Sequence, residues 1–247
     1  MLSAKSFGNQ APSEAIVKLV RPAVAVAVGV SLVLAGSAGA APKPKKPKPV
    51  CNLVVDEPKD TFALRSQDGT APGPQEDVLD ILGMDLASDS KTLTGVVRVA
   101  KLATGAQSAP GGTDYRIAFT LPGQDPAKGN FFLNARTTSA GVPSFLLGFR
   151  TVVAQGQSTT AKLADGTGTF DLAKNEVRIH VPLSAVKTDE VALAKGMKIS
   201  FSGLDLTSAR QVAVNPATGI GTATFADVAA SDMTYTAGAL SCVKPGK

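Results

Sequence analysis

Residues 79–102 read LDILGMDLASDSKTLTGVVRVAKL, and this stretch decides how the chain folds. Two apolar runs, Leu79–Ala87 and Thr92–Leu102, flank the polar tetrapeptide Ser88-Asp89-Ser90-Lys91. In the second run, apolar residues alternate with more polar neighbours, which is the period of a half-buried strand. Two such runs around a short polar turn predict an antiparallel hairpin.

The same signal recurs at intervals of about 8 to 12 residues, which is typical of all-β domains. Asp165-Gly166 predicts a second hairpin turn, since this pair adopts positive φ angles at low cost. Lys174-Asn175 predicts a third turn. The further predicted strands are Tyr115–Leu121, Asn130–Thr138, Ser144–Val153, Thr159–Ala164, Thr167–Leu172, Glu176–Val181, Met197–Leu206 and Met233–Ala239.

One segment, Ser184–Ala194, predicts a helix, because it has a polar start and Gly196 follows as a stop signal. Strands without βαβ alternation favour an antiparallel β-sandwich, Ig-like or jelly-roll-like, with this one short helix. An open barrel is the alternative. We expect residues 51–247 to form a single domain.

The first 40 residues have the three parts of a secretory signal peptide. Residues 1–21 contain three basic residues and one acid, and an apolar run, Pro22–Leu34, follows them. The run ends in small residues, which predicts cleavage after Ala40 and a secreted protein, extracellular or associated with the cell wall. The alternative is an uncleaved anchor, because the run approaches the roughly 20 residues that a bilayer requires.

Residues 41–50, APKPKKPKPV, alternate lysine with proline and predict an extended, solvated spacer. The whole chain has 25 basic and 20 acidic residues, and residues 1–50 contain seven of the basic residues and one of the acids. Residues 51–247 therefore have 18 basic and 19 acidic residues. A nearly neutral domain argues against nucleic-acid binding, which needs basic residues on the folded surface. After signal cleavage we expect no membrane association.

Cys51 and Cys242 are the two cysteines of the chain, and they lie at the two ends of the predicted domain. In an oxidising compartment this arrangement predicts one intramolecular disulfide. Two free thiols or intermolecular pairing are the alternatives.

The composition excludes several kinds of site. His180 is the single histidine, and no nucleophile motif accompanies it, so we expect a solvated strand residue and predict no catalytic residues. The chain has no Trp and two Tyr, which argues against sugar binding on aromatic platforms.

Acidic residues cluster before the first predicted hairpin. Asp56, Glu57 and Asp60 are followed, beyond a Gly- and Pro-rich stretch, by Asp77 and Asp80, with Glu76 beside them. Ca²⁺ takes six to eight oxygen ligands and collects them from acidic loops. The alternative is a solvated acidic edge, because the spacing is not that of an EF-hand.

Two segments of the chain together resemble a family. Cys51–Asp60, with residues 78–82 and 88–94, resembles actinobacterial secreted β-sandwich proteins similar to carbohydrate-binding-module and DOMON-like domains. Residues 225–229 and 235–242 are similar to the closing strand of that group. In the group, an acidic opening motif contributes to a structural calcium site. The resemblance implies Asp56, Asp60 and Asp80 as ligands and Asp227 as a fourth, whereas Lys59 replaces a glycine and should disfavour a positive φ.

These observations favour a secreted, non-enzymatic β-sandwich that acts as a binding or interaction module at the cell envelope. Its partner would be an envelope or extracellular ligand that the sequence does not name. A structural calcium ion is the one cofactor that we consider. The alternatives are a carboxylate-dependent extracellular hydrolase, with two acids in one pocket, and a purely structural envelope protein.

Overall fold

The structure is a computed structural model, and it describes residues 47–61, 76–103, 112–138, 140–154, 157–201, 206–214 and 221–246. Side chains are described for these residues except 210–214 and 221–225. The predicted signal peptide and residues 41–46 of the predicted spacer lie outside the described residues.

The described residues form thirteen strands and one turn of 3-10 helix, Leu183–Ala185. The strands are β1 (Val54–Val55), β2 (Ile81–Ser88), β3 (Thr92–Val99), β4 (Thr113–Phe119), β5 (Gly129–Thr137), β6 (Pro143–Ala154), β7 (Gln157–Asp165), β8 (Thr167–Asp171), β9 (Glu176–Pro182), β10 (Lys198–Ser200), β11 (Leu206–Val214), β12 (Gly221–Ala229) and β13 (Thr234–Thr236).

Two antiparallel sheets pack together as a sandwich, which confirms the predicted fold class. One sheet has the order β1-β2-β3-β9-β8, and the other has the order β12-β11-β4-β5-β6-β7. A two-stranded ribbon pairs β10 with β13. Among the residues that the structure describes, no helix is long and apolar enough to cross a membrane.

The core lies between the two sheets and follows the period-two pattern of the sequence. In β9, Val177, Ile179 and Val181 are buried, whereas Arg178 and His180 point to the other face and are half-buried. Tyr115, Ile117 and Phe119 of β4 face them from the six-stranded sheet and are buried as well. Burying one such side chain stabilises the fold by about 1.5 to 3 kcal/mol.

The first predicted hairpin is confirmed, since β2 pairs with β3 around residues 88–91. Asp89 builds this turn. Its backbone N–H donates to the Thr92 carbonyl, and its Oδ1 accepts the N–H groups of Lys91 and Thr92 at 2.7 and 2.8 Å. Hydrogen bonds to the charged form lower the pKa of Asp89.

The hairpin predicted around Asp165-Gly166 is wrong. β7 pairs with β6 in the six-stranded sheet, and β8 pairs with β9 in the five-stranded sheet. The Gly166 N–H donates to the Phe145 carbonyl at 2.9 Å, which holds the crossing point against β6. Asp-Gly therefore carries the chain from one sheet to the other. The Lys174-Asn175 turn is confirmed between β8 and β9, with Asn175 at φ 54°.

The helix predicted over Ser184–Ala194 is wrong as well. After the 3-10 turn the chain is extended, and Lys187 pairs with Ala192 in an isolated antiparallel bridge. Thr188 stabilises the intervening turn, because its Oγ1 accepts the N–H groups of Glu190 and Val191 at 3.3 Å. Val186 and Leu193 are buried in the core from this extended segment.

The alternation pattern did not predict three strands, β1, β11 and β12, although the resemblance assigns residues 225–229 of β12 to a closing strand. The predicted strand Met197–Leu206 is also divided. Lys198–Ser200 belongs to the ribbon, residues 202–205 lie outside the described part, and Leu206 begins β11.

The two ends of the described domain lie side by side. Cys51 and Cys242 form the predicted disulfide, with their Cα atoms 5.3 Å apart, and the neighbouring residues Val50 and Ser241 form a parallel bridge. Beyond Cys242, the chain lies on the outer face of the five-stranded sheet. There Val243 forms a small buried cluster with Ala87 and Val96.

Candidate functional site

Three carboxylates converge where the segment after β1 meets β12. One oxygen from each of Asp56, Asp60 and Asp227 lies within 4.8 Å of the other two. Asp60 is exposed, Asp56 is half-buried, and Asp227 is buried with 1% of its surface exposed. We call these three residues the acidic triad. Within the described ranges it unites three of the four residues that the sequence predicted as ligands.

Asp56 follows β1, and its backbone N–H extends the β1–β2 pairing by donating to the Leu82 carbonyl. Its Oδ1 accepts the Glu57 N–H at 3.1 Å. Its Oδ2 is buried and has no hydrogen-bond partner. Burial raises the pKa of Asp56, and the negative charges of Asp60, Asp80 and Glu57 raise it further. A buried oxygen without a partner is costly unless a cation or a proton satisfies it.

Asp227 reaches the triad from the end of β12. Its Oδ2 accepts the Ile81 N–H at 2.7 Å, and its Oδ1 accepts the Val228 N–H at 2.7 Å. These bonds favour the charged form, yet burial outweighs them, and with the charges of Asp60 and Asp56 it raises the pKa of Asp227 to about 7. The two hydrogen bonds fix the carboxyl group in place, but they do not offset the whole cost of burying its negative charge.

Asp80, the fourth predicted ligand, has a different position. It is fully buried, and its two oxygens accept the Lys59 N–H at 3.1 and 2.9 Å. It also accepts the backbone N–H of Asp60. Burial and the charges of Asp60 and Asp77 raise its pKa. Asp80 therefore fixes the loop that presents Asp60 and lies behind the triad.

Lys59 does not behave as the sequence predicts. It adopts φ 69°, the left-handed conformation that the resemblance associates with glycine. The two bonds from its N–H to Asp80 compensate the steric cost of that conformation. Its side chain is exposed.

The donor set of the triad fits a hard divalent cation. Ca²⁺ binds carboxylate oxygens at about 2.3 to 2.6 Å, so oxygens within 4.8 Å of one another can share one ion. Asp60 opens the site to solvent, which leaves room for water ligands. A bound cation would compensate the charges of the three carboxylates.

His180 lies apart from the triad, on the outer face of the five-stranded sheet. Its Nδ1 and Thr94 Oγ1 are 2.9 Å apart, and Thr94 Oγ1 also accepts the Gly246 N–H at 3.0 Å. Burial lowers the pKa of His180, and Arg178 lowers it further. The histidine is half-buried and hydrogen-bonded, whereas the sequence predicted a solvated residue.

The described residues also line two open grooves at other places on the surface. One, of about 470 Å³, borders His180 and is lined by Lys91, Asp165, Thr167 and Pro182. The other, of about 330 Å³, lies between the β4–β5 connection, the end of β6 and the turn at Thr188–Glu190. Sequence reasoning did not find either groove, because separate parts of the chain contribute their residues and none of these parts carries a motif.

Comparisons of the chain with protein-family models, with curated proteins and with solved structures found no match in any of the three.

Proposed function

We propose that this chain is a secreted, non-enzymatic β-sandwich, that it acts as a binding module at the cell envelope, and that a calcium ion bound by Asp56, Asp60 and Asp227 stabilises its N-terminal end. The observation that carries the proposal is the convergence of three carboxylates within 4.8 Å, with one buried oxygen of Asp56 left without a partner.

The calcium ion would act as a structural clamp. Asp56 and Asp60 belong to the segment between β1 and β2, whereas Asp227 belongs to β12 of the opposite sheet. An ion held by all three would join the two sheets at this end. Because it binds the native state, it would stabilise the fold by about 2.7 kcal/mol at a concentration one hundred times Kd.

The positions of the acids support a binding role over hydrolysis. A carboxylate-dependent hydrolase requires two acids across a pocket, one of them with a raised pKa. Asp56, Asp80 and Asp227 have raised pKa values, yet none of them lines either of the two described grooves. The grooves lie at loop ends and on a sheet face, where β-sandwiches present binding residues.

Thermal unfolding of residues 41–247, with the disulfide oxidised, tests the calcium proposal. We expect Tm to rise with added Ca²⁺ and to fall again with chelator. Asp60→Asn should abolish most of that rise, because it removes one ligand charge at an exposed position that tolerates the substitution. Asp232→Asn is the matched control and should keep the full rise, since Asp232 is exposed and is not one of the three ligands. An equal Tm with calcium and with chelator in the unsubstituted chain would refute the calcium site.

Cosedimentation with isolated cell-envelope material tests the binding role separately. The mature chain should sediment with the wall fraction and remain soluble without it. A chain that binds calcium but never sediments would keep the structural ion and contradict the envelope module.

A further inference from the structure

The groove of about 330 Å³ combines an aromatic floor with an acidic rim, and we call it the loop groove. Phe149 contributes the floor, and its ring packs edge-on against Phe131 with the centroids 5.0 Å apart. A Cβ atom at Gly129 would collide with the Arg150 carbonyl oxygen of β6 and with the Phe149 ring, the latter at 2.9 to 3.0 Å. The glycine therefore allows β5 to lie close to both the β6 backbone and the ring that forms the floor.

The rim carries Asp125, Asp189 and Glu190 against one cation, Lys128, and all four residues are exposed. Both sides of the rim are held by their own hydrogen bonds. Asp125 Oδ1 accepts the Ala127 N–H at 3.0 Å, and the Thr188 N–H donates to the Val191 carbonyl at 2.7 Å. A groove with preformed walls loses little conformational entropy on binding.

Aromatic floors with acidic rims suit a particular ligand. Proline-rich segments in the polyproline II conformation dock on aromatic grooves, and their preset conformation lowers the entropic cost of binding. Lysines between the prolines would pair with the rim carboxylates and contact the ring face. The chain itself carries such a segment, with lysines at 43, 45, 46 and 48 and prolines at 42, 44, 47 and 49.

We propose that the loop groove binds the Lys/Pro-rich segment, residues 41–49, of a second copy of this chain. The described part of the segment, Pro47–Pro49, is exposed, and none of its residues lines the groove of its own chain. We assign the segment to a second copy, and the concentration dependence of association distinguishes this contact from binding within one chain. Such a contact joins two different surfaces, so copies associate either reciprocally, as a twofold dimer, or head to tail.

This inference rests on the proposed binding function and names one partner for it. Since the loop groove and the acidic triad share no residue, the two proposals can fail separately. A calcium-dependent Tm shift in a chain that stays monomeric would leave the calcium site intact and overturn the groove proposal.

Sedimentation velocity of residues 41–247, over a rising range of protein concentration, tests the proposal. At low ionic strength we expect reversible self-association, which should weaken at least tenfold at high salt because exposed charges are screened. A synthetic peptide of residues 41–50 should inhibit the association. A chain that stays monomeric at every concentration and low salt would overturn the proposal, and so would one that the peptide does not affect.

Two variants and one control locate the contact. Glu190→Lys reverses a rim charge and should weaken association at least tenfold, whereas Asp232→Lys, the same change at an exposed site outside the groove, should leave it unchanged. Replacing the four spacer lysines with glutamine should have the same effect as Glu190→Lys without any change in Tm, since that segment precedes the disulfide-closed domain. Association that survives either substitution contradicts the assignment.

Discussion

Gly148 of β6 lies beneath the ring of Phe132, on the face of the six-stranded sheet opposite the core. A Cβ atom at residue 148 would lie 2.2 to 2.8 Å from three ring atoms of Phe132. The Arg116 guanidinium lies over this ring, 4.5 Å from its centroid. The ring has little room to move, because its position is fixed from both sides.

We therefore expect Gly148→Ala to lower the free energy of unfolding by about 1 to 3 kcal/mol, the usual cost of overpacking. Urea denaturation measures the loss. The double variant Gly148→Ala/Phe132→Leu should lose less than the sum of the two single variants, because a smaller side chain accepts the methyl group. If the two losses simply add, the ring contact is not the cause.

Protonation of His180 should make the free energy of unfolding depend on pH in a definite direction. Its pKa is lowered in the folded state by burial and by Arg178, so the unfolded chain binds a proton more readily. The contribution of His180 is complete above its ordinary pKa of about 6.5 and is lost as the pH falls toward the lower folded value. Stability should therefore decrease on acidification through this window.

Urea denaturation at several pH values between neutral and mildly acidic checks this expectation by comparison with His180→Gln. The comparison is needed because Asp56, Asp80 and Asp227 have raised pKa values and contribute with the opposite sign. The unsubstituted chain should lose more stability on acidification than the variant does. Identical profiles would show that His180 does not couple to folding.

The crossing from β7 to β8 predicts cross-strand contacts that differ from those of a simple hairpin. Lys162 lies opposite Gly148 of β6, and Phe170 lies opposite Val177 of β9. NMR should show short cross-strand proton distances for these two pairs and none between β7 and β8. Cross-strand contacts between Thr159–Ala164 and residues 167–171 would restore the simple hairpin and contradict the crossing.

The elements that sequence predicts well are those whose partners are local. The β2–β3 hairpin is decided by alternation and by the hydrogen bonds that Asp89 makes within its own turn. Asp165-Gly166 has equally favourable turn chemistry, but the bond from Gly166 to Phe145 and the pairing with β6 are tertiary, so the local signal misleads. The same holds for Ser184–Ala194, where burial of Val186 and Leu193 overrides the helical signal.

The candidate site likewise contains some residues that the sequence predicts and others that it does not. Asp56, Asp60 and Asp227 were predicted as ligands from a resemblance, and the structure places them together. Asp80 was predicted with them, but its position behind the Lys59 loop depends on a backbone conformation that residue types do not reveal. The loop groove had no signal at all, since its residues approach one another only in the folded chain.

One disulfide bond joins the two ends of the whole domain. Cys51 and Cys242 are 191 residues apart in sequence. In the chain-entropy model, a bridge over so long a loop stabilises the fold by about 4 to 5 kcal/mol through its effect on the unfolded chain.

Cys51→Ser/Cys242→Ser should therefore lower the free energy of unfolding by about that amount. Denaturation with and without reducing agent measures the change. The unsubstituted chain should lose a similar amount on reduction, whereas the double variant should not respond. A variant as stable as the oxidised chain would show that the bridge does not contribute.

The same bond determines how the molecule carries mechanical tension. If the Lys/Pro-rich segment and the residues after Cys242 were pulled apart, the force would pass from Cys51 to Cys242 over a Cα separation of 5.3 Å. The strands between them would carry none of the load. Oxidised, the chain would transmit tension as a short, inextensible link. With the disulfide reduced, unfolding of the sandwich would release roughly 650 Å of extended chain.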